Sequence, residues 1–385
     1  MDANNPSNLF VSMWLRFLKL VHRASIQMDQ GFVTCWRISG IRLDHDLGGC
    51  LFILAKKEYE MKVVKKLLAP VLVVGLLLTS LVSLHHLKDN KKSNVLRIGI
   101  SQYITHKSLD ATRKGFIAEL KKAGYVDGKN IQIDFQNAQG EQRNLKNISK
   151  QLAEESDLVF AIATPSAQSL ANTTKTTPVV FSAVTDPLAA KLVKNLKEPG
   201  GNITGTSDQS EDAISTQVDL IKKIVPTAKT VGILYTQSEP NSVVQKDNAK
   251  KILEAKGYQV VEKTVLDSNN VKAAADSIMS EADIVFVPTD NIISSTMETI
   301  KQVSLSHKVP VFGGSAEMVA IGGLYNYGTD YEELGRQAAR MAIRIMKGEK
   351  PEKIAVETPE KLELHVNKEM AKELGIDISS LKIEK

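Results

Sequence analysis

Thr164-Pro165-Ser166-Ala167 follows an unbroken apolar run and has the make-up of a helix start: Thr serves as a cap and Pro fits the first helical position. The free amides of Ser166 and Ala167 then point outward and attract an anion such as a carboxylate. The matching place in the second half of the chain holds Asp290 and Asn291. Asp290 reads equally as an N-cap for its own helix or as the acceptor of a ligand ammonium through charge-assisted hydrogen bonds. Asp186, in Phe181-Ser182-Ala183-Val184-Thr185-Asp186-Pro187, is a second candidate for that ammonium, or a turn residue held extended before Pro187. Asp208, in Gly205-Thr206-Ser207-Asp208, lines a cleft or stabilises a hinge. Tyr103 and Tyr235 end or follow a strand, where a ring stacks on an aromatic ligand or plugs the core. Gln102, Ser182 and Ser315 are polar groups at strand ends with the same two readings.

None of this is catalytic in pattern. The chain has no G-x-S-x-G elbow, no phosphate loop ending in G-K-[ST], no G-x-G-x-x-G after a strand and no H-E-x-x-H. Beyond the apolar segment described below, the histidines are His106, His307 and His365, widely spaced and read as solvated or core residues rather than a metal cluster or triad. Both cysteines, Cys35 and Cys50, and both tryptophans, Trp14 and Trp36, precede Met61, so the body has no thiolate chemistry. The net charge of +5 is spread along the chain, which argues against a nucleic-acid surface. No cofactor or metal is expected.

The elements that position these residues alternate between short β-branched runs and helical patterns, the signature of parallel sheets covered by helices. Strands are expected at Val95 to Ile100, Ile131 to Phe135, Leu158 to Ala163 and Pro178 to Ser182, with helices at Leu109 to Ala123, Glu141 to Glu155 and Pro165 to Thr174. The grammar repeats: strands at Thr230 to Tyr235, Tyr258 to Val265, Asp283 to Val287 and Val309 to Phe312, helices at Ser242 to Ala255, Asn270 to Ser280 and Ile292 to His307. Gly99 and Gly124 recur as Gly232 and Gly257 at one common spacing, and Asp157 and Pro178 recur as Asp283 and Pro310. Landmarks that match so far apart predict two similar lobes. Helix Tyr331 to Met346 and a strand near Leu362 to Val366 must complete sheets already begun, and the glycine pairs 200–201, 313–314 and 322–323 mark where the chain passes between lobes. The fold class is α/β, with two Rossmann-like lobes of parallel sheet joined by a multi-strand hinge. Lobe 1 spans 94–205 and is completed by about 323–348; lobe 2 spans 206–322 and is completed by about 349–385. Facing sheets of this kind bind ligands at the carboxyl ends of their strands, across a cleft.

Met61, Lys62, Lys65 and Lys66 precede eighteen uncharged residues, Leu67 to Leu84. A basic region before an apolar run predicts export, by a cleaved signal peptide or by an uncleaved membrane anchor through 67–84. Residues 1–60 have no sustained period and read as a non-native extension, with Met61 the true start, or as a cytoplasmic tail. Residues 61–93 are the signal or anchor with its linker.

Gly124-Tyr125-Val126-Asp127-Gly128-Lys129-Asn130, Phe181 to Pro187, the long string Pro199-Gly200-Gly201-Asn202-Ile203-Thr204-Gly205-Thr206-Ser207-Asp208, and Tyr331-Glu332-Glu333-Leu334-Gly335-Arg336-Gln337-Ala338-Ala339 carry a resemblance. From Asn94 to Lys385 the chain resembles the bacterial ABC transporter substrate-binding proteins of the tryptophan-binding kind. The resemblance implies a type I periplasmic-binding-protein fold, a tryptophan or related aromatic amino acid as ligand, and delivery to a membrane permease with a cytoplasmic ATPase. Many family members carry a lipoprotein cysteine after the apolar run, and this chain does not.

A sugar-repressor-like regulator shares such a fold but needs a helix-turn-helix, which the apolar Met61 to Leu84 run cannot form. The alternative is the extracellular ligand-sensing domain of a membrane signalling system. The reading favoured is a solute-binding protein at the extracytoplasmic face of the membrane that closes on its ligand by hinge motion and catalyses nothing.

Overall fold

The structure, a computed structural model, describes residues 95–209, 212–379 and 381. The expectations for residues 1–60, for the apolar run 67–84 and for its linker therefore lie outside the described residues.

The first lobe is a parallel five-stranded sheet in the order β2-β1-β3-β4-β5, formed by Leu96–Gln102, Ile131–Asn137, Leu158–Ile162, Val179–Val184 and Ile203–Ser207, numbered β1 to β5 along the chain. Every residue of β3 and β4 is buried, as expected of central strands covered on both faces. Helices α1 (Lys107–Lys122), α2 (Gln142–Glu155) and α3 (Thr164–Thr173) connect them. Gly124, at φ +90, supplies the left-handed turn that stops α1.

The second lobe repeats the order and extends it. Strands β6 (Thr230–Thr236), β7 (Gln259–Val265), β8 (Ile284–Val287), β9 (Val311–Gly313), β10 (Tyr325–Gly328) and β11 (Glu363–Val366) form a sheet ordered β11-β10-β9-β8-β6-β7, in which only the β10–β11 pair is antiparallel. Helices α4 (Ala213–Ile224), α5 (Pro240–Ala255), α6 (Val271–Met279), α7 (Asn291–Ser295), α8 (Met297–His307) and α9 (Ala316–Ile321) lie between them.

The repeated landmarks do the same work in both lobes. The Asp157 carboxylate accepts from the Arg97 amide at 2.8 Å, and the Asp283 carboxylate accepts from the Lys229 and Thr230 amides at 2.8 and 2.9 Å. Each aspartate thus fixes the start of its lobe's first strand. A Cβ at Gly99 would stand 2.7 Å from Ser156 Oγ, and one at Gly232 would stand 2.7 Å from Ile278 Cγ1, so glycine lets a helix sit directly on each first strand.

The chain passes between lobes first after Ser207, on the way to α4. It returns at Thr329-Asp330, and α10 (Tyr331–Met346) buries Leu334, Ala338 and Met341 in the core of lobe 1. Gly115 and Gly335 allow this docking: a Cβ at Gly115 would meet Glu332 O at 1.9 Å, and one at Gly335 would meet Thr112 O at 2.0 Å. The next segment stays with lobe 1, where Ile354 is buried in the core and Glu357 bridges to Thr206, before β11 and α11 (Lys368–Leu374) join lobe 2.

These passages fall later than the glycine pairs suggest. Thr206 and Ser207 still belong to the sheet of lobe 1. Tyr325–Gly328 continues the sheet of lobe 2 beyond Gly322-Gly323, and lobe 1 keeps the chain to Glu357 rather than to about residue 348. β5 does not read as a strand because its sequence, Ile-Thr-Gly-Thr-Ser, is polar, yet it is wholly buried. Its hydroxyls are satisfied internally: Thr204 donates to Ile354 O at 2.7 Å, Thr206 to Ser182 Oγ at 2.8 Å and Ser207 to Thr185 O at 2.9 Å. The helix expected from Ile292 to His307 is two helices. Thr296 Oγ1 donates to the carbonyls of Ile292 and Ile293 at 3.1 Å each, where its hydroxyl competes with the backbone ladder.

Candidate ligand-binding site

The carboxyl ends of the strands in the two lobes face each other and are in direct contact. The Ser108 and Ser315 hydroxyls are 2.7 Å apart, Ser108 Oγ donates to Glu317 Oε2 at 3.0 Å, the Thr185 and Thr289 hydroxyls are 3.1 Å apart, and His106 Nε2 is 3.2 Å from Asn291 Oδ1. In each pair the first residue belongs to lobe 1 and the second to lobe 2. The seam holds a cavity of about 20 Å³ lined by these residues other than Glu317 and by Leu109, Asp208, Asn241, Met318 and Tyr331. A second cavity of about 30 Å³ shares Asp208, Thr289 and Tyr331 with it and adds apolar wall from Ile214, Phe286 and Tyr327.

Asp208 stands at the first passage between the lobes. Its Oδ2 accepts from the Tyr331 hydroxyl at 2.9 Å, and its Oδ1 is buried without a partner. Burial raises its carboxyl above the usual range, with the hydrogen bond from Tyr331 opposing. A buried carboxylate with an open oxygen in a cavity is a place for a cation or a strong donor. His106 Nδ1 and Asn241 Oδ1 line the same cavity and are also buried without partners.

Asp208, Asn291 and Ser315 thus line the cavity, and Ser315 additionally caps α9 through the Met318 amide. Asp290 does not. It is fully buried, and its carboxylate accepts from the Thr236 amide at 2.6 Å, the Thr236 hydroxyl at 2.9 Å and the Ile293 amide at 2.9 Å. It has the geometry of the cap. Asp186 accepts from the Leu188 and Ala189 amides at 2.9 Å each, the geometry of the turn. Tyr235 sits in the core of lobe 2 with its hydroxyl on Gln237 Oε1 at 2.9 Å. Tyr103 donates to Gly140 O at 3.0 Å, and its hydroxyl is held well above its usual range by burial and by the Glu239 and Asp290 carboxylates. Gln102 donates to Ile104 O at 2.9 Å and to Asp110 at 3.0 Å, which leaves Oε1 unpartnered. Thr164, Ser166 and Ala167 are buried at the start of α3, where Thr164 Oγ1 is without a partner, and Ser182 accepts from Thr206.

The sequence reading missed His106, Ser108, Thr185, Thr289 and Tyr331. His106 and Ser108 stand in the turn after β1 and at the start of α1, three and five residues beyond Tyr103, just past the reach of the strand-end rule that selected Gln102 and Tyr103. Thr289 adjoins Asp290, but the cap turns the aspartate inward and leaves its neighbours in the cleft. Tyr331 follows β10, a strand the sequence does not announce.

Glu239 has the widest reach behind the cavity. It is buried, and its carboxylate accepts from the amides of Asn291 and Ile292 and from the side chains of Asn291 and Asn241. Burial, with the Asp290 carboxylate close by, pushes it up to about 8.

Two parallel-sheet lobes with matching strand order, joined by several passages of one chain and closed on a polar cavity at their strand ends, define a type I periplasmic-binding protein. Residues 97–382 match the model of the ABC transporter substrate binding protein family, and the chain belongs to that family. It is a binding protein and not an enzyme. It is 41% identical over 292 residues to a tyrosine-binding protein of Clostridioides difficile, covering 75% of this chain and 84% of the relative. It is 39% identical to an ABC domain from Streptococcus pneumoniae solved in complex with L-Trp, with a TM-score of 0.71, covering 74% of this chain and 96% of the other. It is 40% identical to a Clostridium difficile substrate-binding protein with adhesive properties in a ligand-free, open structure, with a TM-score of 0.58, covering 75% and 97%. Among the described residues no helix is long and apolar enough to cross a membrane.

Proposed function

We propose that this chain captures an aromatic amino acid between its lobes, on the extracytoplasmic face of the membrane, and delivers it to the permease of an ABC importer with a cytoplasmic ATPase. Asp208 carries the reading. Its open Oδ1 takes the α-ammonium, and the pairing offsets the desolvation that burial imposes on the carboxylate. The α-carboxylate goes to lobe 1, at the hydroxyl of Thr185. The ring lies among Leu109, Met318, Phe286 and Tyr327.

Cavities of about 20 and 30 Å³ are on the scale of a water or two. An aromatic amino acid therefore enters with the lobes parted, and closure over it merges the two cavities. Ligand that binds the closed state better shifts the population toward it, and that state is the one a permease recognises. The segment 61–84 exports the chain or anchors it.

The names of the relatives and the make-up of the cleft support the aromatic class together. Isothermal titration of the intact chain with L-tryptophan, L-tyrosine and L-leucine tests it. Saturable heat with the two aromatic ligands, well below millimolar, is expected. Silence with both aromatics removes the reading, and a preference for leucine moves it to another amino-acid class.

A further inference from the structure

Glu239 Oε2 receives three hydrogen bonds, from the Asn291 amide at 3.1 Å, Asn291 Nδ2 and Asn241 Nδ2 at 3.1 Å. The Asn291 and Ile292 backbone amides, which can only donate, engage both oxygens of the carboxyl, so in its ionised form Glu239 acts only as an acceptor, the NH₂ of the Asn291 side chain faces it and Oδ1 faces away. Oδ1 lies 3.2 Å from His106 Nε2. That nitrogen must carry the imidazole proton, and Nδ1 of the neutral ring is left as a lone pair. Nδ1 is buried without a partner, and His106 lines the cleft cavity.

We infer that His106 is a specificity-determining residue: its Nδ1 accepts a hydrogen bond from a donor on the ligand's ring, the indole N–H of tryptophan or the phenol O–H of tyrosine, with Asn291 and Glu239 as positioning residues that hold the tautomer. This rests on the aromatic amino-acid reading above. The low basicity of the ring fits, since burial lowers His106 to about 4 and keeps it an acceptor across the neutral range. A ligand without the donor leaves Nδ1 dry and unpaired, which costs more than a missing apolar contact does.

The test is a titration of the intact chain with L-tryptophan and with 3-benzothienyl-L-alanine, which keeps the shape of tryptophan and replaces the N–H by sulfur. L-tyrosine and L-phenylalanine form a second pair. The native chain is expected to prefer the donor-bearing member of each pair by roughly ten- to a hundredfold. His106→Phe is expected to abolish the preference while still binding the benzothienyl ligand, which also shows that it folds. His106→Asn, which places an acceptor near Nδ1, is expected to retain part of it. Nitrogen-15 imidazole NMR is expected to show His106 as the Nε2–H tautomer, and Asn291→Ala to turn it into a tautomer mixture with a reduced preference. Equal binding of both members by the native chain, an unchanged preference in His106→Phe, a uniform loss of all four ligands in that variant, or an Nδ1–H tautomer would each overturn the inference and leave the aromatic reading standing. Binding of none of the four by the native chain overturns both.

Discussion

The Tyr331 hydroxyl donates to Asp208 Oδ2 at 2.9 Å and so joins the first and second passages of the chain between its lobes. One oxygen of the carboxylate is spent on the hinge and the other is buried without a partner beside the cleft cavity. Ligand capture and hinge geometry therefore meet in a single side chain.

Asp208→Asn separates the two roles. It keeps an oxygen for Tyr331 but cannot neutralise an ammonium, and losing one partner of a buried charge pair costs about 2–5 kcal/mol. Affinity for the amino acid should fall by at least roughly thirtyfold. Melting of the ligand-free protein should move the other way, to slightly higher temperature, because an unpaired buried carboxylate has been removed. Calorimetry of both proteins with and without ligand checks both signs.

Stability of the ligand-free protein should fall on the alkaline side of the ordinary carboxylate range. Glu239 is raised to about 8, and Asp208 and Asp290 are raised by burial. For an acid whose folded pKa exceeds its unfolded one, the native state holds the extra proton between the two values, so stability is lost as pH rises through that window. For Glu239 the window runs from the ordinary 4.5 of a glutamate to about 8. Chemical denaturation at several pH values should show this slope, and Glu239→Gln should flatten it. A slope unchanged in that variant would remove Glu239 as its source.

The hydroxyl contacts across the seam favour the closed arrangement. Ser108→Ala removes the bonds to Ser315 and Glu317, and Thr185→Val removes the bond to Thr289. Each should shift the open–closed balance toward open by about 0.5–1.5 kcal/mol, and the pair by close to the sum because the sites share no partner. Small-angle scattering of the ligand-free protein should report a larger radius of gyration, with melting temperature nearly unchanged.

Two glycines of the Gly200-to-Gly205 stretch should respond oppositely to alanine. A Cβ at Gly205 would stand 2.1 Å from Phe181 O and 2.6 Å from the Phe181 ring, so Gly205→Ala forces β5 off β4 and should destabilise by several kcal/mol, on the order of 3 or more. Gly201 has open space around that position and no left-handed φ, so Gly201→Ala should be neutral or stabilising by about 0.5 kcal/mol. Urea unfolding of both variants distinguishes them.

Periodicity and matched landmarks determined the two-lobed α/β plan, because burial on both faces forces central strands such as Leu158–Ile162 to be apolar, and close helix packing forces glycine at Gly99 and Gly232. Asn291 and Ser315 were legible as polar residues at strand ends, and Asp208 as a cleft or hinge residue at the first passage between lobes; all three line the cavity. The tertiary structure alone decided which polar groups serve the fold and which face the cleft. Asp290 and Asn291 are neighbours, yet one carboxylate is consumed by Thr236 and Ile293 while the other side chain spans the seam to His106. Local sequence cannot separate them, because the partners that decide, Thr236 for Asp290 and His106 for Asn291, lie 54 and 185 residues away in the chain, and His106 and Tyr331 gain their roles only when the opposite lobe arrives. Buried polar strands escape for the same reason: the hydroxyls of Ile203–Ser207 look solvated until residues from β4 and from the segment after α10 satisfy them.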